Sequence, residues 1–359
     1  MQTQSKYRLL VVRLGAMGDI LHALPAVTAL RCAHPEWVID WVVEPVWSAL
    51  LTAQPGMVRD TPNEFPRQPI VDGVYFASTR KWRRHLLARE TRDEIRALRR
   101  ALKREPYDAV VDVQGAVRSA LLGRMARSRR YIGEEKPRES VARLLFTERV
   151  ETRGVHVIEQ DMELASAIAA DELTPVQPLL PFDVAAEEWA DKLMANGGGA
   201  PAVLINPGAG WGAKRWPVER YADVARGLLN RGLGVFVNAG PGEVLLADTI
   251  VKRTGSGATS LMCSIEQLIA ITRRVCLAIA GDTGPLHLAC ALGRPVVGIY
   301  GPTDPSRNGP FGTRFKVLRN VESRRDHTRR EEPESGLLTI TPDEVLEAAG
   351  ELLYSEAAQ

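Results

Sequence analysis

Arg8-Leu-Leu-Val-Val-Arg-Leu-Gly-Ala-Met-Gly-Asp19 is a short apolar run that ends in a glycine-containing turn. Apolar residues with helical spacing follow to about Ala33, so this stretch predicts a strand, a turn and a helix. The same pattern returns later, where the apolar run Ala202–Asn206 leads into Pro207-Gly-Ala-Gly210. Strands and helices alternate after each of these two starts, which is typical of parallel, doubly wound α/β sheets.

The alternation stops around residues 170–201, where four prolines and three consecutive glycines surround one short helix. This break, in a chain of 359 residues, predicts a first Rossmann-like domain over residues 1–175 and a second over 176–340. A C-terminal helix within 341–359 follows, for which packing back on the first domain is one possibility. We expect the two domains to face each other across a cleft, with ligands bound at the carboxyl ends of the strands.

Three further segments have a predicted conformation. A helix over residues 85–104 would bury Leu87, Thr91 and Leu98 on one face. Residues 55–72 are rich in proline and polar residues and predict a loop. The charged run 323–335 predicts a solvated loop.

The composition indicates a soluble globular protein, since 45% of the residues are hydrophobic and 25% are charged. The apolar runs are far shorter than the ~20 residues that a membrane span needs. The first residues contain no apolar core of a signal peptide. The four cysteines form no CxxC pair and no cluster with zinc spacing. We therefore expect reduced thiols in the cytoplasm and no structural metal.

The charge of the chain is unevenly distributed. Its net charge is only +2, yet residues 80–153 contain 21 Lys and Arg against 11 Asp and Glu. Arg80-Lys-Trp-Arg-Arg84 is the densest part of this basic block. The block indicates an anionic partner, and nucleic acid, a phosphorylated substrate and an anionic membrane surface all fit that charge. The simplest alternative for the cluster at 80–84 is a solvated edge.

Gly281-Asp-Thr-Gly-Pro-Leu-His287 follows a buried strand and begins a helix. The Thr283 hydroxyl and the amides of Thr283 and Gly284 would lie at the helix N-terminus, where the dipole favours an anion such as a diphosphate. Asp282 would repel phosphate but could bind sugar hydroxyls beside it. The structural alternative is an Asp/Thr cap with a structural histidine.

Asp19 has two interpretations: the cap of the first helix, or a general base at the end of the first strand. His22, one turn later, is more often a partner on the helix surface than a catalytic group. The glycines here do not have the G-x-G-x-x-G spacing of a dinucleotide site, which argues against an NAD-dependent oxidoreductase.

The turn after the strand at 202–206 contains Lys214, a point charge suited to phosphate. Glu243 follows the next strand and could accept hydrogen bonds from ribose hydroxyls, or simply begin a helix. No D-x-D triplet occurs in the chain. Charge on a leaving diphosphate would therefore be neutralised by Lys214 and the helix N-terminus, without that metal motif.

Four segments together resemble the ADP-heptose:lipopolysaccharide heptosyltransferases of glycosyltransferase family 9. They are Arg13-Leu-Gly-Ala-Met-Gly-Asp-Ile-Leu-His-Ala-Leu-Pro25, Lys214-Arg-Trp-Pro217, Gly281-Asp-Thr-Gly-Pro-Leu-His287 and Tyr300-Gly-Pro-Thr-Asp-Pro305. Arg80–Arg84, Asp108–Gly115 and Arg138-Glu-Ser140 look more like the type I branch, which adds the first heptose to the 3-deoxy-octulosonate (Kdo) sugars of lipid A.

The resemblance implies a GT-B fold, with the acceptor bound mainly by the first domain and ADP-heptose mainly by the second. Asp19 would then be the catalytic base of an inverting transfer. The implied donor-binding residues are Lys214, Glu243, Met262 near the adenine, Asp282, Thr283, Gly284 and His287. The implied acceptor-binding residues are Arg80, Lys81, Arg83, Arg84, Arg118 and Arg138. No cofactor or metal is implied, and the partners would be ADP-heptose, Kdo-lipid A and the cytoplasmic face of the inner membrane rather than nucleic acid.

Two alternatives to the type I transferase remain at this stage. One is heptosyltransferase II or a family 9 enzyme for another nucleotide-activated sugar. The other is a non-catalytic protein that binds a nucleotide-sugar or a glycolipid on the same scaffold. The joint presence of Asp19, Lys214 and Asp282 argues against this second alternative.

Overall fold

The computed structural model describes residues 6–53, 68–326, 328 and 330–354. The chain divides into two compact units, a first unit over Met1–Pro181 and a second unit over Phe182–Gln359. This division lies shortly after the predicted boundary at residue 175. Each unit contains one sheet of six strands, and all the strand pairs are parallel.

The sheet of the first unit has the strand order β3-β2-β1-β4-β5-β6. Its strands are β1 (Arg8–Val12), β2 (Val38–Val43), β3 (Gly73–Phe76), β4 (Ala109–Asp112), β5 (Arg130–Glu134) and β6 (Glu148–Val150). Its helices are α1 (Met17–Ala33), α2 (Thr79–Arg84), α3 (Arg89–Leu102), α4 (Val117–Gly123) and α5 (Val157–Ala169), and short 3₁₀ turns lie at Pro45–Leu50 and Ser140–Leu145.

The sheet of the second unit has the order β12-β11-β10-β7-β8-β9, which repeats the first order when read from its other edge. Its strands are β7 (Ala202–Asn206), β8 (Gly234–Asn238), β9 (Ala258–Leu261), β10 (Leu277–Gly281), β11 (Val296–Ile299) and β12 (Phe315–Leu318). Its helices are α6 (Val184–Asn196), α7 (Val218–Asn230), α8 (Val244–Thr254), α9 (Ile265–Arg274), α10 (Gly284–Ala291), α11 (Pro305–Asn308) and α12 (Pro342–Tyr354), with 3₁₀ turns at Gly212–Lys214 and Leu337–Thr339.

The strand order in both units is that of the Rossmann fold, in which the chain reverses its direction of winding between two central strands. These central strands are β1 and β4 in the first unit and β7 and β10 in the second. Both faces of such a sheet are covered by helices, so the central strands are mainly apolar. Every residue of β4, β7 and β10 is buried. In each unit, a ligand is expected to bind at the carboxyl ends of the two central strands, which are β1 and β4 in the first unit and β7 and β10 in the second.

The helix predicted over residues 85–104 begins later than expected, at Arg89. Thr91, Leu98 and Leu102 are buried as predicted, but Leu87 lies before the helix and is 91% exposed. The residues at 80–84 form the separate short helix α2, whose Trp82 is buried. The helical spacing of apolar residues continues across the turn between α2 and α3, where Leu87 is exposed to solvent rather than packed.

The C-terminal helix α12 packs within the second unit. α12 packs against α7 and against β10, β11 and β12, all in the second unit. Its buried residues Val345, Ala349 and Leu352 belong to the same core as β7 and β8. The buried face of α12 therefore covers part of one face of the second sheet.

Several elements of the first unit had no sequence prediction, namely α4, β5, β6 and α5. Most of the loop predicted over residues 55–72 lies outside the described residues. No helix in the described part of the chain is both long enough and apolar enough to cross a membrane.

Candidate active site

The carboxyl end of β1 is joined to the carboxyl end of β4 by side chains that follow each strand. Gln114 Oε1 accepts a hydrogen bond from the Leu14 amide at 2.8 Å. The Arg13 guanidinium donates to the Val113 carbonyl oxygen, and its side chain is buried. These bonds fix the turn between β1 and α1 against the neighbouring strand, at the switch point of the first sheet.

Asp19 lies in this turn, in the first turn of α1 rather than at the cap position that the sequence allowed. The cap residue is Ala16, and Asp19 Oδ2 accepts a hydrogen bond from the Ala16 amide at 3.0 Å. Asp19 Oδ1 lies 3.5 Å from Nη2 of Arg13, and the side chain is 32% exposed. Gly15 has a φ of +148°, and a Cβ there would lie 2.6 Å from Nε1 of Trp47, so the turn requires glycine.

This geometry suits a proton acceptor. The backbone amide and the guanidinium orient Asp19 through Oδ2 and Oδ1, while the exposed part of the carboxylate remains accessible to a substrate hydroxyl. Positioning of this kind is what a general base requires. His22, which the sequence assigned to the helix surface, is instead buried, and its ring packs edge-on against that of His156 at 5.7 Å.

Backbone contacts link the candidate acceptor residues to this end of the sheet. Glu44 follows β2, and its backbone amide donates to the Leu14 carbonyl oxygen. Its side-chain Oε1 accepts a hydrogen bond from the Arg80 amide at 3.1 Å. On the other side, the Glu139 amide donates to Gly115 at 2.8 Å, so Arg138 also lies beside the end of β4. The turn with Asp19 is thus flanked by basic residues on both sides.

The basic side chains are exposed at Arg80, Lys81, Arg83, Arg84, Arg118 and Arg138. Within the described residues, only Lys81 of these six has an ion pair, with Glu94 Oε1 at 2.6 Å. Glu94 also accepts a hydrogen bond from Nε1 of Trp82 at 2.7 Å. Lys81 therefore helps to hold α2 against α3, while the arginines present their charge to solvent.

In the second unit, three predicted residues meet at the switch point between β7 and β10. Lys214 Nζ forms an ion pair with Asp282 Oδ2 and donates a hydrogen bond to the Asp282 carbonyl oxygen at 3.2 Å. The His287 Nε2 atom lies 3.3 Å from Asp282 Oδ1. Only 10% of the Lys214 side chain and 11% of the Asp282 side chain are exposed. These three residues form a buried charged cluster at the start of α10.

The cluster determines the charge of Asp282. Burial alone would raise the pKa of its carboxyl group, but the hydrogen bond with His287 and the positive charge of Lys214 lower the pKa well below its usual range. Thr283 occupies the N-cap position of α10 next to this carboxylate, with its hydroxyl donating to the Gly281 carbonyl oxygen at 3.2 Å, and Gly284 is the first residue of the helix. Backbone amides in the first turn of a helix have no partner within the helix and attract anions. The site therefore combines an ionised carboxylate with two groups suited to a phosphate.

The charged run at 323–335 is more than the solvated loop that the sequence predicted. Its Arg330 carbonyl oxygen accepts from the Ala213 amide at 3.0 Å, and the Glu334 amide donates to the Ala213 carbonyl oxygen at 3.1 Å. A Cβ at Gly212 would overlap the Glu331 carbonyl oxygen. The loop packs against the 3₁₀ turn that contains Lys214 and so helps to position it.

Glu243 and Met262 lie at the carboxyl ends of the neighbouring strands. Glu243 caps α8, and its carboxylate accepts hydrogen bonds from the amides of Ala209 and Gly240, both at 3.3 Å. It thus bridges the loops after β7 and β8, and a Cβ at Gly208 would lie within 2.1 Å of Oε2. Met262 follows β9 and is 67% exposed. Glu243 and Lys214 therefore lie at the same carboxyl end of the second sheet. Met262 lies further along that end, after β9.

Several residues at these two edges had no sequence prediction. In the first unit they are Arg13 and Gln114 beside the turn before α1, and the buried Asp161 on α5. In the second unit, the indole of Trp211 lies under Lys214, with Nζ 4.2 Å from the ring centroid, and Asn238 donates to Asn206 at 2.9 Å. Trp211 lies three positions before Lys214 in the sequence. That spacing was the signal available for their contact, since cation–π contacts favour tryptophan.

Comparison with known proteins defines the family. The sequence model of glycosyltransferase family 9 (heptosyltransferase) matches residues 95–338, more than half of the chain. The chain belongs to glycosyltransferase family 9. Lipopolysaccharide heptosyltransferase 1 of Escherichia coli K12 is 28% identical over 316 residues, which are 87% of this chain and 93% of that protein. Lipopolysaccharide heptosyltransferase 2 of Salmonella typhimurium is 26% identical over 371 aligned positions, covering 97% and 99% of the two chains.

A solved structure of a family 9 enzyme supports the same assignment. Escherichia coli heptosyltransferase WaaC with ADP has a TM-score of 0.78 and 26% identity, and the match covers 96% of this chain and 99% of that one. A second structure of WaaC is described as containing ADP-2-deoxy-2-fluoro heptose. The chain is therefore a glycosyltransferase with the GT-B fold, built from two Rossmann-like units as the sequence predicted.

Proposed function

We propose that this family 9 enzyme transfers L-glycero-D-manno-heptose from ADP-heptose to Kdo of Kdo-lipid A during synthesis of the lipopolysaccharide inner core. The observation that carries the proposal is the buried Lys214–Asp282–His287 cluster at the N-terminus of α10. It places an ammonium group and helix amides beside an ionised carboxylate, which are the groups that a sugar diphosphate needs. The relative solved with an ADP-heptose analogue supports this donor.

The second unit would bind the donor with each part of the cluster in a separate role. The Lys214 ammonium and the amides of Thr283 and Gly284 would neutralise the diphosphate, while Asp282 would accept hydrogen bonds from heptose hydroxyls. His287 would keep Asp282 ionised and oriented near the sugar and the diphosphate. Glu243 would hold the ribose, and Met262 would lie near the adenine.

Asp19 would be the base of a direct displacement. Its carboxylate would remove the proton from the acceptor hydroxyl, and the oxygen would bond to the anomeric carbon of heptose from the face opposite the diphosphate. The bond between that carbon and the phosphate oxygen breaks, and ADP leaves with the electron pair, so the configuration inverts. Lys214 and the helix N-terminus would stabilise the charge that develops on ADP, and we propose that no metal takes part.

The acceptor would bind along the basic side chains around the end of the first sheet. Arg80, Arg83, Arg84, Arg118 and Arg138 are exposed arginines, suited to bidentate contacts with the carboxylates of Kdo and the phosphates of lipid A. Lys81 would add its charge to the same surface. An anionic acceptor on this surface would give the basic block a partner other than nucleic acid.

We propose a peripheral contact with the cytoplasmic face of the inner membrane, through the turn between α2 and α3. Leu86 and Leu87 are 61% and 91% exposed. Arg83 and Arg84 precede them and Arg89 follows, all exposed. Leucines flanked by arginines suit the boundary between headgroups and acyl chains of an anionic leaflet.

The product assay with ADP-heptose tests the proposed reaction. The purified protein is incubated with Kdo-lipid A, or with Kdo-lipid A that already contains one heptose, and mass spectrometry detects the added heptose. We expect product from the first acceptor only. Product from the heptosylated acceptor alone would instead indicate a type II transferase. A protein that binds ADP-heptose but forms no product with either acceptor would be a binding protein.

A further inference from the structure

Glu44 is a buried acid to which the proposed reaction gives no role. It follows the last residue of β2, at the carboxyl end of the first sheet, and only 7% of it is exposed. A carboxylate taken out of water costs free energy unless hydrogen-bond donors replace the lost solvent. The donors that surround Glu44 therefore show what its side chain holds in place.

The donors to the Glu44 carboxylate belong to the first turn of α2. Its Oε1 atom accepts hydrogen bonds from the Thr79 hydroxyl and from the Arg80 amide, the latter at 3.1 Å. The first amides of a helix have no partner within the helix, and the side chain at the N-cap position usually supplies one. Ser78 occupies that position in α2 and makes no such bond. Glu44 supplies it from another element and so attaches the N-terminus of α2 to the end of β2.

The backbone of Glu44 is bonded to the turn that contains Asp19. Its amide donates to the Leu14 carbonyl oxygen at 3.1 Å, and its own carbonyl oxygen accepts from the Trp47 amide at 3.0 Å. The indole of Trp47 packs on the same turn, since a Cβ at Gly15 would lie 2.6 Å from Nε1. One residue thus joins the turn of the candidate base, through its backbone, to the cationic helix, through its side chain.

The other end of α2 is attached to α3. Glu94 on α3 forms an ion pair with Lys81 at 2.6 Å and accepts a hydrogen bond from Nε1 of Trp82 at 2.7 Å. Arg83 and Arg84 are exposed at the end of the helix. Attachments near both ends fix the direction of α2, and with it the place at which these two arginines meet a ligand.

We propose that Glu44 is a positioning residue for the acceptor: its carboxylate holds α2 so that Arg83 and Arg84 keep a fixed place relative to the turn of Asp19. This inference rests on the proposed function, in which α2 binds the acceptor. Without the carboxylate, the N-terminus of α2 is released while its attachment to α3 remains. The arginines then bind an anionic acceptor less tightly, and the donor site, which belongs to the second unit, is unaffected.

The first test compares the steady-state kinetics of Glu44→Ala and the wild type. We expect KM for Kdo-lipid A to rise about tenfold, as for the loss of one charge-assisted contact, and KM for ADP-heptose to stay within about twofold. Glu44→Gln keeps an oxygen that accepts from the same donors and should restore most of the affinity. Asp40→Ala is the matched control, because Asp40 is a buried acid within β2 that bonds to Tyr107 and Arg8 instead.

The second test separates positioning from a purely structural role by a double-mutant cycle. In the Arg83→Ala/Arg84→Ala background, Glu44→Ala should raise KM for Kdo-lipid A no further, because the side chains that Glu44 positions are already absent. A loss of stability alone would lower the melting temperature and the amount of active enzyme equally in both backgrounds, and would leave both KM values unchanged.

A second variant tests the same attachment without removing the buried acid. Thr79→Val deletes one of the two donors to Glu44 and should raise KM for Kdo-lipid A severalfold, whereas Thr79→Ser keeps the hydroxyl and should restore the wild-type value. Thr52→Val is the control, because it deletes a hydroxyl of the same unit that bonds to Gln68.

The outcomes separate the inference from the proposed function. An unchanged KM for Kdo-lipid A in both Glu44→Ala and Thr79→Val overturns the positioning role, and so does an equal rise in the two backgrounds of the cycle. Product from the heptosylated acceptor alone refutes the acceptor in the proposed function, and the same KM comparison is then made with that acceptor. No product from either acceptor refutes the proposed function and the inference together.

Discussion

Asp282 remains ionised in a buried position because its neighbours compensate for the loss of water. Lys214 and His287 reach its two carboxylate oxygens from different segments of the second unit. In a buried ion pair, the removal of one partner leaves the other charge uncompensated, which costs about 3–5 kcal/mol. The pair is therefore a point at which one substitution affects both stability and ligand binding.

Lys214→Ala should weaken the binding of ADP about 10- to 100-fold, since a hydrogen bond to a charged group contributes about 1.5–3 kcal/mol. It should also lower the melting temperature, because Asp282 loses its ion-pair partner. Isothermal titration calorimetry and thermal unfolding measure the two effects. Lys252→Ala, at an exposed position on α8, is the control. An unchanged affinity for ADP would remove Lys214 from the diphosphate site.

The sequence indicated the residues of this cluster through their chemistry. Lys214 and Asp282 follow predicted strands, where functional side chains are expected in α/β folds. Asp161 gave no such signal, because an aspartate in a helical segment is most often solvated. Its burial depends on how α5 packs on α1, and a helix pairing of that kind is not encoded in local spacing.

At the level of elements, the strand order explains why distant residues meet. β1 and β4 are neighbours although nearly 100 residues separate them, and Asp19 and Arg118 lie in the first turns of the helices that follow them. An apolar run predicted β1 well, because a fully buried parallel strand requires one. The predicted helix at 85–104 was wrong at its start, since the helical spacing of apolar residues continued across a turn that exposes Leu87.

The double substitution Arg83→Ala/Arg84→Ala should raise KM for Kdo-lipid A by about tenfold or more and leave KM for ADP-heptose unchanged. The effect should shrink as salt is added, because exposed charges are screened. Steady-state kinetics at several ionic strengths measure both constants. The matched control is Arg99→Ala/Arg100→Ala, two exposed arginines on α3 of the same unit. Equal effects of the two pairs would make the cluster on α2 a solvated edge.

The whole molecule consists of two units of the same topology with different surfaces. The chain length and the break near residues 170–200 already predicted two domains, and the repeated strand–turn–helix start predicted that both would be Rossmann-like. The charge asymmetry now has a structural basis, since residues 80–153 all lie in the first unit. The packing of the C-terminal helix on the second unit could not be read from the sequence, because a single amphipathic helix fits many apolar faces.

Leu86→Ser/Leu87→Ser should reduce binding to vesicles that contain anionic phosphatidylglycerol. The substitutions remove the apolar part of the turn between α2 and α3 without changing its charge. Co-sedimentation with vesicles measures the bound fraction. Leu245→Ser is the control, because Leu245 is 82% exposed but lies in the second unit. Binding that is equal in the double variant and the wild type would contradict a membrane contact at this turn.

The central claim is that Asp19 is the base of a heptosyl transfer to Kdo-lipid A. The measurement that tests it most directly is the rate of heptose addition to Kdo-lipid A by the wild type and by Asp19→Ala, together with the affinity of both for ADP-heptose. We expect product from the wild type, a loss of about 10²- to 10⁴-fold in kcat for the variant, and an affinity for the donor that is nearly unchanged. Retention of the wild-type rate by Asp19→Ala would contradict the account.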